Sequence, residues 1–289
     1  MAVSGAVSRT PTRISAATLR LGLSLTLLLL LAGFVSIVWT PGPVLTGDIG
    51  VALRDPSAAH WFGTDHLGRD MASLLMKGVL TSFVVAAVAT FIGAFVGIPL
   101  GLFAAFAGGV FDWLALRKAG LIAAFPALVI ALLLAAAIGP GSVVAMVAAG
   151  IAAIPAFARA MRAGVLGQRN LDFVVSGRLA GLSGFDLARR HMLPAIGGLL
   201  LAVAAQQLVV AIFAEAALAY VGVGTQAPAT SLGLLLREMQ PFALTRPLLV
   251  ILPGLALVLV ITGLRLVADG LAGRLEPALR DMGGLDEPR

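Results

Sequence analysis

Long apolar runs separated by short polar breaks fill the chain, and the run lengths set the elements it predicts. A helix needs about 20 apolar residues to cross the hydrocarbon of a bilayer. Leu21 to Trp39 is a Leu-rich run of that kind, preceded by Arg9, Arg13 and Arg20. It is too long for the apolar part of a signal peptide and no clear small-residue cleavage site follows, so it predicts a retained first span. The interval between Lys77 and Asp112 predicts one long helix that ends at Gly108-Gly109. Gly93, Gly97 and Gly101 recur along it at a four-residue step, which lets a second helix approach closely.

No charge occurs between Lys118 and Arg159, and the stretch is twice a span in length. Gly139-Pro140-Gly141-Ser142 breaks it at the middle, which predicts a helical hairpin. A fifth span follows Pro194 to about Tyr220, and a sixth runs from about Leu248 to Val267. The expected fold is an all-α membrane protein with six transmembrane helices and both termini on one side. Its expected division is a tail at 1–20, a first span at 21–39, an outside segment at 40–77, a core at 78–270 with five spans and a loop at 159–194, and a tail at 271–289.

Composition agrees: 60% of the residues are hydrophobic, 12% are charged, and mean hydropathy is +1.03. A soluble domain carries about a quarter charged residues, so the lipid reading stands before any motif is weighed. The sequence has no cysteine, which excludes disulfides, thiolate metal sites and cysteine nucleophiles. Of its 20 Lys and Arg, only Arg54, Arg69, Lys77, Arg237 and Arg246 fall on the side away from the termini. Basic loops mark the cytoplasmic face, so the termini are expected there. The same bias accounts for the net charge of +6 without nucleic acid.

The stretch from Arg159 to Pro194, between spans four and five, concentrates arginine and is long for a connection. Leu171, Val174, Val175, Arg178 and Leu179 follow helical steps, Asn170 or Asp172 can cap that helix, and Gly181 can end it. Ser183 with Asp186 resembles a capping box for a second helix, Gly184 to Met192, stopped by Pro194. Helix, glycine turn, helix at the inner face suits either an amphipathic hairpin on anionic lipid or a docking element for a cytoplasmic partner.

Gly177-Arg178-Leu179-Ala180-Gly181, followed by Arg190-His191-Met192-Leu193-Pro194, resembles the EAA loop of binding-protein-dependent ABC importer permeases. The resemblance implies that a short helix around Leu171, Val174, Val175, Gly177, Arg178, Leu179 and Gly181, closed by Leu193-Pro194, docks into a groove of an ATP-hydrolysing subunit. The glutamate and first two alanines that name the loop align with Val175, Ser176 and Gly177, so docking here rests on shape and on Arg178. Phe62-Gly63-Thr64-Asp65-His66-Leu67-Gly68-Arg69-Asp70 is similar to the segment before the second span in dipeptide, oligopeptide and nickel importer permeases. Gly139-Pro140-Gly141, Ala214-Glu215-Ala216-Ala217-Leu218 and Gly222-Val223-Gly224 also sit where that family has them, while Ala227 and Leu232 replace its usual proline and tryptophan.

The resemblance implies a transport subunit that is not an enzyme and binds no cofactor or metal. It forms half of the pathway for peptides or a related small solute, in the bacterial inner membrane. The implied partners are a second, unlike permease, two ATP-binding subunits that use ATP and Mg, and an extracytoplasmic solute-binding protein. Thr64, Asp65, Arg69 and Asp70 are candidates for an outer gate or for contact with that binding protein. Glu215, with Gln206 and Gln207, either lines the solute path or makes a structural hydrogen bond; the resemblance favours the bond by placing this glutamate near the outer end of its span.

Competing chemistry lacks its residues. Lys77 and Lys118 follow Met76 and Arg117, so no Gly-Lys-Ser or Gly-Lys-Thr phosphate loop exists. His60, His66 and His191 form no His-Glu-x-x-His pair. Gly181-Leu182-Ser183-Gly184 matches a rhomboid-type serine motif, but the serine falls in the arginine-rich loop and no span carries a histidine base. An ATP-independent transporter or channel is the alternative; it predicts inverted repeats, discontinuous helices and several buried ionisable groups.

Overall fold

The computed structural model describes residues 12–168, 176, 181, 184–187 and 192–283. Among them the regular structure is helical, apart from one antiparallel bridge between Thr64 and Asp70. The helices are α1 (Thr12–Val38), α2 (Met71–Ala107), α3 (Gly109–Ala124), α4 (Ala127–Ile138), α5 (Ser142–Gln168), α6 (Gly184–Leu187), α7 (Leu193–Val221), α8 (Leu232–Met239) and α9 (Pro247–Gly283). Five segments are long and apolar enough to cross a membrane: Ala16–Val38, Met71–Ala107, Ser142–Gln168, Leu193–Val221 and Pro247–Gly273.

The third expected span differs from a single rod. Asp112–Ala124 and Ala127–Ile138 meet at an angle of 81°, and six spans result only when this bent pair counts as one. Pro126 is the cause. Its ring excludes the helical conformation at the residue before it and removes a donor, and Phe125 is extended at φ −90°, ψ 122°.

Element ends also move. α1 begins at Thr12, ahead of the expected Leu21, and α9 continues to Gly283, well into the expected 271–289 tail. Arginine favours helix nearly as well as leucine, so a helix need not stop where its apolar run does. α2 begins at Met71 inside the expected outside segment, because Asp70 caps it: the carboxylate accepts from the Ser73 N–H at 2.8 Å and from its hydroxyl at 2.7 Å.

α2 and α5 form the most extensive helix pair. A Cβ built on Gly97 would meet the Ile154 carbonyl oxygen at 2.6 Å and the Phe157 Cβ at 2.7 Å; one on Gly93 would meet the Ala153 Cβ at 2.5 Å. The four-residue glycine step therefore serves backbone approach, as expected. Burial against protein gains little over burial in lipid, so such close packing holds spans together.

Two clusters close the ends of the bundle. At the end carrying residues 39–70, here the loop end, Met71, Leu74, Leu75 and Val79 of α2 pack with Ile212 of α7 and with Leu232, Leu235 and Met239 of α8. At the opposite, arginine end, Ala105 of α2 and Met161 and Val165 of α5 pack with Leu187 of α6, with Met192 and with Ile196 of α7.

Candidate functional site

The loop end collects four of the motifs singled out in the sequence. α7 stops at Gly222, whose φ of 96° lies in the left-handed region that glycine adopts without strain. The turn that follows meets the α4–α5 hairpin: the Gly141 N–H donates to the Val223 carbonyl at 3.2 Å, and the Ser142 hydroxyl lies 3.2 Å from the Thr225 hydroxyl.

Glu215 lies beneath that turn, fully buried. Ser82 of α2 donates to its Oε2 at 2.8 Å, and Thr225 donates to Oε1 at 3.1 Å. Ser82 Oγ also accepts the Leu232 N–H at 3.1 Å, and Ser231 caps α8 through the Leu234 N–H at 3.2 Å. One carboxylate thus ties α2, α7, the turn and the start of α8 together. A buried charge in a span needs such partners, and the geometry is that of the structural bond rather than of a group open to a passage.

A second polar junction holds the far end of α8. Asp65 Oδ1 accepts the N–H groups of Leu67 at 2.9 Å and Arg69 at 2.7 Å, and its Oδ2 lies 2.6 Å from Arg69 Nε. Arg69 Nη2 then donates to Glu238 at 2.9 Å. Burial opposes the Arg69 charge, but the hydrogen bond and charge of Asp65, with the charge of Glu238, outweigh it and hold the guanidinium pKa above its ordinary value. Thr64 donates to the Val51 carbonyl at 2.5 Å and accepts the Arg54 N–H at 2.9 Å, while Asp70 adds a contact of 3.0 Å to His60 Nδ1.

Thr64, Asp65, Arg69 and Asp70 are all buried. They shape the 40–70 segment from within, and its surface exposes Leu45, Ile49 and Trp61 beside Asp48, Arg54 and Asp55. Ser82, Thr225, Ser231 and Glu238 were not among the residues expected at a site. Part of the signal was available: Glu215 is a lone carboxylate in an apolar run, and it demands a partner.

The other path candidates lie elsewhere. Gln207 lines a cavity of about 40 Å³ between α4, α5 and α7, walled by Ala127, Ala149, Ala152, Ala153, Ala211 and Ala214 among others. Gln206 accepts from Arg265 of α9 at 3.1 Å, and Arg265 also pairs with Asp269 at 3.2 Å.

At the arginine end, Arg162 of α5 grips Asp112 of α3 with two bonds, 2.6 and 2.5 Å long. Of the expected loop, Gly181 is exposed with φ 78°, Pro194 is exposed and Leu193 half-buried, while Leu187 and Met192 are buried in the cluster with α2, α5 and α7. Asn170, Leu171, Asp172, Val174, Val175, Gly177, Arg178, Leu179, Ser183 and His191 lie outside the described residues.

Comparison with known proteins identifies the class of this architecture. Residues 97–281 match the family described as binding-protein-dependent transport system inner membrane component. The glutathione transport system permease protein GsiD of Pectobacterium atrosepticum is 32% identical over 78% of this chain and 75% of its own length. The dipeptide transport system permease protein DppC of Alkalihalophilus pseudofirmus is 32% identical over 79% of this chain and 75% of its own. Among solved structures, the inward-facing MetNI methionine ABC transporter has a chain that aligns at a TM-score of 0.56 with 18% identity, covering 72% of this chain and 96% of that one, a likeness of fold. The chain belongs to the binding-protein-dependent transport system inner membrane component family and is a multi-pass permease subunit of an ABC importer in the bacterial inner membrane.

Proposed function

We propose that this permease forms half of a pathway for peptides or a related small solute, completed by a second, unlike permease and driven by two separate ATP-binding subunits. The named relatives carry dipeptide or glutathione systems in their descriptions, which supports a short peptide as the solute. An extracytoplasmic binding protein delivers it at the loop end, against the surface around Leu45, Ile49 and Trp61.

The observation that carries the coupling half of this reading is the anchoring of Leu187 and Met192. Both side chains are buried between α2, α5 and α7. The return of the loop after Gly181 is therefore packed into the ends of three spans, and a pull on it is a pull on them. The ATP-binding subunits dock at the arginine end, on the segment from Leu171 to Gly181, and their closure moves the spans between inward and outward states. Nucleotide shifts the balance of two states that exist without it. Gln207, on its alanine-walled cavity, is a polar group placed to touch solute between α5 and α7.

The test is purification of the tagged chain from its native membrane in mild detergent, then reconstitution of whatever accompanies it. Recovery of one other permease and ATP-binding chains, with ATP-dependent uptake of labelled dipeptide or glutathione into proteoliposomes, is the expected result. Recovery of the chain alone under several gentle extractions overturns the partner assignment.

A further inference from the structure

α8 looks at first like a lid. It is a short helix, preceded by an irregular segment and followed by a 3-10 turn over Gln240–Phe242, set across one end of the bundle. Its fastenings argue otherwise. At its start, the Leu232 N–H is held by Ser82 Oγ, which in turn donates to Glu215. At its end, Glu238 is held by Arg69, one residue before the cap of α2. Between these points Leu232 and Leu235 lie over Gly78, where an added Cβ would meet both at 3.3 Å. On its other side, Gly233 sits directly on the Ala216 backbone of α7. Ser82 and Arg69 bracket the first turns of α2, so α8 is fastened along α2 at both ends and against α7 near its start.

We propose that Glu215 and Arg69 are positioning residues that fix α8 to α2 and α7 as one rigid wall of the loop-end mouth. The mouth then opens by movement of this whole unit against the rest of the transporter, and α8 does not swing on its own. Arg69 also holds Asp65, so the 40–70 segment belongs to the same unit. A partner that docks on that segment thereby acts on α8 without touching it. The inference rests on the permease reading.

The absence of cysteine in the sequence allows a direct test. Arg237 of α8 and Val84 of α2 are exposed, so an R237C/V84C pair takes spin labels, and their separation is read in the assembled transporter without nucleotide and with ATP trapped by vanadate. One narrow distance, the same in both states, is expected, together with broadening when Glu215→Ala or Arg69→Ala is added. A merely structural loss lowers the yield of folded protein without broadening the distance in the fraction that folds. A distance that shifts between the two states, or one left narrow by both substitutions, overturns the proposal.

A second measurement covers poor assembly of those variants. A Cβ built on Gly78 lies 3.4 Å from the Leu232 backbone nitrogen, so a G78C/L232C pair is oxidised, its disulfide is verified by mass spectrometry, and uptake is compared before and after oxidation of the same vesicles. Uptake that survives cross-linking supports the rigid wall; uptake lost on oxidation and restored by reductant overturns it. Failure of the permease reading shows separately, as a purified assembly without ATP hydrolysis, and the distance in the chain is measurable in that case too.

Discussion

Arg69 donates to Glu238 across 2.9 Å although the two residues are 169 positions apart. The same guanidinium holds the fully buried Asp65 at 2.6 Å. Removing one partner of a buried ion pair costs about 3–5 kcal/mol, because the other charge stays desolvated. Arg69→Ala is expected near the lower end, since Asp65 keeps two backbone N–H donors. Arg69→Lys recovers only part, as an ammonium lacks the fork that reaches both carboxylates. Thermal unfolding of the detergent-solubilised chain measures both.

Gly97 and Gly120 give opposite outcomes when a side chain is added. A side chain at Gly97 enters the α2–α5 contact, where backbone oxygen lies at 2.6 Å. Gly97→Val is expected to cost about 1–3 kcal/mol or more through forced separation of the helices. Gly120 in α3 has nothing within 4 Å of an added Cβ, so Gly120→Ala gains up to about 1 kcal/mol from helix propensity. Folded yield by size-exclusion chromatography and melting temperature separate the two.

At Gly181 the φ of 78° leaves open space around an added Cβ, so the penalty is one of backbone conformation. A β-branched residue there costs about 1–2 kcal/mol, spent locally in the loop. Gly181→Val is expected to insert normally and to lose ATP-driven uptake, with Gly181→Asn milder because asparagine tolerates this region. Normal uptake by Gly181→Val would sink the coupling role.

Orientation follows from single cysteines in the cysteine-free chain. Asp48→Cys, at the loop end, is expected to react with an impermeant maleimide on intact spheroplasts. Gly181→Cys is expected to react only after the membrane is opened. The reverse pattern places the loop end in the cytoplasm and removes the binding-protein assignment.

Gln207→Leu is expected to alter the KM for solute uptake more than the amount of folded protein, since its side chain lines a cavity rather than a packed contact. Uptake kinetics in proteoliposomes, set beside expression level, check this.

Much of the fold was legible along the chain. The bilayer imposes a local rule on every span, about 20 apolar residues with their backbone bonds satisfied internally, so α1, α2, α5, α7 and α9 show as runs. The glycine step on α2 was likewise visible, because close approach leaves its mark residue by residue. The bend at Phe125-Pro126 was less so: the proline was plain, but inside an uncharged stretch its effect on one span was outweighed by the larger Gly139-Pro140-Gly141 break. That bend makes a discontinuous helix of the kind expected of ATP-independent transporters, and family membership shows that the feature does not discriminate here.

Sequence alone determined that this is a multi-span permease, since hydropathy and short motifs depend on neighbours in the chain. Tertiary structure decided what its few charges do. Asp65, Arg69 and Asp70 point inward and shape a loop, and Glu215 binds two hydroxyls from separate elements. Glu238 finds its cation across the fold. The physical reason is that a charge removed from water must be satisfied, and the sequence states that need without naming the partner. Only folding brings Ser82 to Glu215 and Arg69 to Glu238, and with them fixes the seat of α8.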